Sequence, residues 1–146
     1  MAEQTSGTID IEASAEEVMS VLTDFGAYPE WAQGIRKTEV RKKDSRGRGK
    51  EVYMEASSKG VGAKYTLSYR YKAKNGGMTW TSKDCSGAVK SITGGYELKP
   101  TGSTTKVTYR TTIELAIPVV GFIKRQAEKQ IINSALGGLK KEVERR

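Results

Sequence analysis

The chain has 146 residues; 36% are hydrophobic, 25 are lysine or arginine and 17 are aspartate or glutamate, for a net charge of +8. That length fits one domain with its own core, and the positive balance favours acidic partners or surfaces. Histidine is absent and Cys85 is the single cysteine, which excludes an intrachain disulfide, an ordinary zinc site, a Ser-His-Asp arrangement and an imidazole proton shuttle.

No metal or cofactor is therefore expected, and acid or base work would fall to Glu, Asp, Tyr or Lys. Residues 1–10 lack the basic region and apolar run of a signal peptide, and no apolar stretch approaches the roughly 20 residues that cross a bilayer. A cytoplasmic protein is expected.

In chain order, Gly7-Thr8-Ile9-Asp10-Ile11-Glu12-Ala13 alternates apolar and polar residues, the period of a half-buried strand. Ser14, with Glu17 three residues on and Val18, Val21 and Leu22 at helical spacing, is a capping box opening a short helix. The helix breaks near Asp24-Phe25-Gly26. Tyr28-Pro29-Glu30-Trp31 begins a second short helix, with proline where its missing N–H does no harm.

Residues 35–115 follow a period of two, punctuated by turn signals, and read as six strands. The first, residues 35–43, is heavily charged and ends in the turn Asp44-Ser45-Arg46-Gly47-Arg48-Gly49. The second puts Val52, Met54 and Ala56 on one face. In the third, Tyr65, Leu67, Tyr69 and Tyr71 alternate with Lys64, Thr66, Ser68, Arg70 and Lys72, giving one aromatic face and one solvated face. Asn75-Gly76-Gly77 offers positive-φ residues for a hairpin into a strand carrying Met78 and Trp80. The next strand holds Ile92, Gly94, Tyr96 and Leu98 in one phase, and after a turn at residues 100–103 the last holds Val107, Tyr109, Ile113 and Leu115. Pro118 stops it.

Residues 119–146 read as one long amphipathic helix. Apolar residues recur every fourth position (Val119, Ile123, Ala127, Ile131, Ala135, Leu139, Val143), with Ile132 and Leu136 alongside. A four-residue step overshoots the helical turn, so the stripe winds, as it must to stay over a twisted sheet. Gly137-Gly138 interrupts it, at a cost of about 1 kcal/mol per glycine relative to alanine. The helix either ends there or brings its backbone close to something; because Leu139 and Val143 continue the step, it is read as running on, straight or kinked.

The class is α+β: strand, two short helices, six strands in an antiparallel meander, long helix. A seven-stranded sheet with one apolar face and a single long helix bury both by wrapping the curved sheet around the helix. A sheet gripping a helix tends to leave a hollow.

Three segments carry a family resemblance: residues 9–18 (Ile9-Asp10-Ile11-Glu12-Ala13-Ser14-Ala15-Glu16-Glu17-Val18), residues 22–31, ending Tyr28-Pro29-Glu30-Trp31, and Gly95-Tyr96-Glu97-Leu98-Lys99-Pro100 followed by Thr104-Thr105-Lys106-Val107-Thr108-Tyr109. The chain resembles the polyketide cyclase/dehydrase-like (SRPBCC) branch of the START and Bet v 1-like superfamily, over essentially its whole length. The resemblance implies the helix-grip fold and a cavity for hydrophobic molecules such as lipids, sterols, polyketides or plant hormones, on which a minority of members act. A fold of this kind implies a pocket, not a reaction.

On that reading the candidate ligand-binding residues are Trp31, Met54, Tyr65, Leu67, Tyr69, Tyr71, Trp80, Tyr96 and Tyr109, roofed by Ile123, Ala127 and Ile131. Tyrosines suit an amphipathic ligand, being apolar bodies with a hydroxyl that needs a partner; the alternative is that they fill the core under the helix. Aromatase and cyclase members look as though they orient a poly-β-ketone with inward Trp, Ser and Arg. Here Arg70 falls in the outward phase, which leaves that strand without a cation to polarise a carbonyl, so no catalytic residue is assigned.

Arg36, Lys37, Arg41, Lys42, Lys43, Arg46, Arg48 and Lys50 form a basic cluster that would dock an anionic membrane or an acidic carrier protein, or simply blunt an edge strand. Nucleic acid is not expected, since no aromatic residue interleaves these charges. Lys140, Lys141, Arg145 and Arg146 complement the negative end of the helix dipole. Three functions stay open: carriage of a hydrophobic small molecule, a cyclase or dehydratase acting on a carrier-bound acyl chain with tyrosine as acid, and an interaction module using the basic hairpin.

Overall fold

The computed structural model describes residues 4–58, 61–118 and 121–146, apart from the side chains of residues 58, 122 and 123. Strand β1 (Gln4–Ile11) leads into helix α1 (Ala15–Leu22). The Glu17 N–H donates to Ser14 Oγ at 3.1 Å, and the Ser14 N–H donates to the Glu17 carboxylate at 3.2 Å. The expected capping box is formed, and α1 buries Val18, Met19, Val21 and Leu22. A single tight turn (Phe25–Ala27) joins it to α2 (Tyr28–Trp31), with Pro29 in its first turn.

Six strands follow: β2 (Ile35–Lys43), β3 (Gly49–Ser58), β4 (Val61–Tyr71), β5 (Gly77–Gly87), β6 (Val89–Thr101) and β7 (Thr104–Leu115). The sheet order is β1-β7-β6-β5-β4-β3-β2 and every neighbouring pair is antiparallel. The meander places each hairpin partner beside its predecessor, and β1 closes the far side against β7. Bulges interrupt the register within β2, between β4 and β5, and between β6 and β7, and such extra residues bend and twist a sheet. At the β4–β5 bulge Asp84 takes a positive φ of 53°. Next to it Thr66, expected on the solvated face, is only 4% exposed, so alternation breaks at residues 65–67.

The C-terminal helix runs through the glycine pair. Helix α3 (Gly121–Ile132) passes into a wider π turn over Asn133–Gly138 and on into α4 (Leu139–Arg145). The two glycines have different roles. A Cβ on Gly138 would sit 2.7 Å from the Trp31 carbonyl oxygen, whereas one on Gly137 would meet nothing within 4 Å. Gly138 is therefore the point where the helix backbone lies directly on α2. Gly7 serves the same end on β1, since a Cβ there would come within 2.9 Å of Ile132.

The helix face that meets the sheet departs from the expected four-residue stripe. Ala127 is exposed, while Glu128, Ile131, Ile132 and Ala135 are partly buried and Leu136, Leu139 and Val143 are buried. Alternating steps of three and four hold a straight helix face against the sheet, so the contact line passes through Glu128, which accepts a hydrogen bond from the Thr5 hydroxyl. Val119 lies outside the described residues, as does the side chain of Ile123.

The far end of the helix is bonded to the start of the chain. The Lys140 ammonium donates to the Asp10 carbonyl at 2.7 Å, and the Glu12 N–H donates to Glu144 at 3.1 Å. Arg146 donates to Asp24 and to Glu142, each at 3.0 Å. These basic residues thus make specific bonds in addition to facing the helix dipole. The result is the helix-grip fold that the resemblance implies.

Candidate functional site

Pleating and register bring the candidate sheet residues onto one face. Met54 pairs with Tyr65 and Val52 with Leu67 across β3 and β4; Tyr69 faces Trp80 across β4 and β5; Tyr96 faces Tyr109 across β6 and β7. Gly94 lies opposite Trp80, and a Cβ there would come within 3.1 Å of the indole, so its absence gives the ring room.

The rings form one string. Trp31 and Tyr28 have centroids 4.9 Å apart, Tyr28 and Phe25 5.2 Å, Phe25 and Tyr69 4.8 Å, and Tyr69 and Trp80 5.9 Å. Trp80 then meets Tyr96 at 5.6 Å and Tyr109 at 5.9 Å, and Tyr71 joins Tyr69 at 6.3 Å. Offset and tilted ring pairs of this kind are favourable beyond the area they bury. Phe25 and Tyr28 were not among the residues the sequence nominated. Their signal was the aromatic content of the short helices, which carries no strand phase to place it on the sheet.

The interior has two parts. Ile11, Val18, Leu22, Val52, Val107 and Leu139, between the sheet, α1 and the end of the C-terminal helix, are 0% exposed. On the aromatic face, Tyr65, Tyr69, Trp80, Tyr96 and Tyr109 each keep 5–7%. The first part is sealed; the second keeps a little accessible surface on every ring. Two open pockets formed by described residues lie elsewhere: about 360 Å³ at the ends of β2 to β5, beside Arg36, Ser57 and Gly87, and about 260 Å³ beside Thr79, Gly95 and Arg110. Part of the roof over the expected hollow, the side chain of Ile123, lies outside the described residues.

Three tyrosine hydroxyls on or beside the face bond to backbone carbonyls: Tyr28 to Leu22 at 2.5 Å, Tyr71 to Gly49 at 2.6 Å and Tyr96 to Ala135 at 2.8 Å. The last ties the sheet to the helix at its π turn. Tyr65 and Tyr69 make no such bond among the described residues. Burial raises the pKa of Tyr28, Tyr65, Tyr69 and Tyr96 far above that of a free phenol, and neighbouring tyrosines raise it further. Burial likewise pushes Tyr71 and Tyr109 up to about 12. These groups keep their protons at neutral pH. They can donate hydrogen bonds to a carbonyl or hydroxyl, but are poor proton-transfer acids.

Charge touches this face only at its edge, where Arg48 lies over the Tyr71 ring. Among the described residues the buried polar and charged side chains are Thr66, Thr105, Thr111 and Glu142, and Glu142 is held by Arg145 and Arg146 at the end of the helix. Arg70 is exposed, as its strand phase requires.

The basic cluster lies on the β2–β3 hairpin at the sheet's edge, and several of its members have partners. Arg41 lies 4.2 Å over the Tyr53 ring and 3.6 Å from Glu39; Arg48 lies 4.2 Å over Tyr71 and bonds Asp44 at 2.9 Å; Lys42 is 3.5 Å from Glu51. Tyr53 is thus an aromatic among these charges that spacing along β2 did not reveal. The hairpin's charges are partly consumed within it.

Comparison with known proteins places this architecture. Residues 2–144 match the family described as polyketide cyclase / dehydrase and lipid transport. No curated protein matches. The fold is shared with a START superfamily protein from Mycobacterium smegmatis, at 21% identity over 97% of both chains and a TM-score of 0.85. It is shared with the Zhui aromatase/cyclase from Streptomyces sp. R1128, at 15% identity over 100% of this chain and 96% of that one, TM-score 0.76. A STAR-related lipid transfer protein from Xanthomonas axonopodis matches at 16% identity over 95% and 84%, TM-score 0.71. The chain therefore belongs to the polyketide cyclase / dehydrase and lipid transport family, built on the helix-grip fold of the START and Bet v 1-like proteins.

Proposed function

We propose that this protein binds a hydrophobic small molecule, lipid or polyketide-like, against the aromatic face beneath its C-terminal helix, and carries it without transforming it. The observation that supports this most is the composition of that face: a continuous string of rings, incompletely sealed, with neutral phenols and no buried cation among the described residues. Such a surface rewards apolar and ring-containing ligands and orients them through a few hydroxyls. A ligand held there lies between the sheet and the C-terminal helix, which the Tyr96 hydroxyl ties together through the Ala135 carbonyl.

Displacement of a fluorescent apolar probe by fatty acyl, sterol and polycyclic aromatic ligands tests this, with native mass spectrometry giving stoichiometry. One class should displace the probe at one molecule per chain. Failure of all three classes would refute the reading.

Family membership favours a second reading, cyclisation or dehydration of a carrier-bound acyl chain. Against it stand the outward Arg70 and phenols that hold their protons. Incubation with a reactive poly-β-ketone separates the two, since a carrier leaves the product distribution unchanged.

A further inference from the structure

The indole nitrogen of Trp31 is a buried donor with no hydrogen-bond partner among the described residues. The Trp31 carbonyl lies against Gly138, where the helix widens into its π turn, and its ring packs on Tyr28 at a centroid distance of 4.9 Å with a 59° tilt. A tilted ring offers an N–H at best a weak contact, and leaving a buried donor unpaired costs about 1–3 kcal/mol. Trp31 as a whole is only partly buried. A residue that keeps some solvent contact while its nitrogen is covered lies at the margin of the interior, where an entering molecule would meet it first.

We propose that Trp31 Nε1 is the specificity-determining donor of the binding face, completed by an oxygen acceptor on the ligand, so that the preferred ligands are apolar molecules bearing a carbonyl or carboxyl oxygen. This deepens the binding function proposed above and rests on it. The position fits. Trp31 ends the ring string that runs through Tyr28, Phe25 and Tyr69 to Trp80, so a flat apolar body lying along that string would bring its terminal oxygen to the indole. A hydrocarbon of the same shape would leave the donor unpaired.

The test uses two matched probes, 2-acetylnaphthalene, which has an acceptor, and 2-ethylnaphthalene, which lacks one. Only two tryptophans are present, so the indole N–H region of a proton–nitrogen NMR spectrum holds two signals, and Trp31 is identified in the unaltered protein by its proximity to the Tyr28 ring. The Trp31 signal should move downfield with 2-acetylnaphthalene and stay near its free position with 2-ethylnaphthalene. Trp31→Phe, which keeps a ring and removes the N–H, should weaken binding of the acetyl probe about 3- to 10-fold more than that of the ethyl probe. Equal shifts with both probes, or equal loss of both in the variant, would overturn the assignment while leaving the binding function intact. Failure of 2-acetylnaphthalene to bind the unaltered chain would overturn this inference, and the binding function falls only if the fatty acyl, sterol and polycyclic aromatic ligands fail as well. The NMR result stands if the variant does not fold.

Discussion

Adjacent glycines in the C-terminal helix give the sharpest test of how that helix is held. Both positions are helical, so alanine at either gains up to about 1 kcal/mol from helix propensity. At Gly137 nothing opposes the gain, because an added Cβ meets no atom within 4 Å. At Gly138 the Cβ would lie 2.7 Å from the Trp31 carbonyl oxygen and 3.6 Å from its ring. The nearer of these is a backbone atom that cannot rotate away, so α2 or the helix must shift, at an overpacking cost of about 1–3 kcal/mol. Gly137→Ala should therefore be neutral to stabilising and Gly138→Ala neutral to destabilising, with a gap of about 1–3 kcal/mol between them. For a domain of this size that is a Tm difference of about 2–12 °C. Urea unfolding of the two variants, compared at unchanged m-value, measures it directly. Equal stability would show that the helix does not rest on the Trp31 carbonyl.

Three further outcomes follow from the same structure. Ser14→Ala removes the capping box and should cost about 1 kcal/mol, read as a lower urea midpoint, with Ser14→Thr restoring most of it. The Arg145 and Arg146 guanidiniums hold Glu142 below the usual glutamate range; a depressed carboxyl contributes stability above its unfolded pKa and loses it as pH falls through the folded one. Glu142→Gln should thus cost about 1 kcal/mol at neutral pH, a figure kept small because Arg145 is 66% exposed, and the gap to the unaltered protein should close in acid. All seven tyrosines are raised above the free phenol. Phenolate absorbance should therefore stay low through pH of about 10, and the stability contributed by the neutral phenols, complete below that pH, should be lost as pH rises towards the folded values. A tyrosine ionising normally in the folded protein would contradict the burial described.

Local chemistry was legible from the sequence: the strand phases except at Thr66, the Ser14–Glu17 cap, the turn at residues 44–49 and the order of elements follow from short-range pattern and were realised. The aromatic phase of residues 65–71 was equally plain, because a period of two fixes which side chains share a face. Three features needed the tertiary structure. Whether the helix would survive its glycines depended on what stood opposite Gly138, a contact more than a hundred residues distant in the chain. The helix's buried line bypassed Ala127 because the sheet, not the sequence spacing, chooses which flank is covered. Phe25 and Tyr28 joined the sheet's rings only because α1 and the following turn fold back over the sheet. Periodicity reports the face a residue occupies on its own element; the distance between two elements, and what fits between them, is set by packing that no single segment encodes.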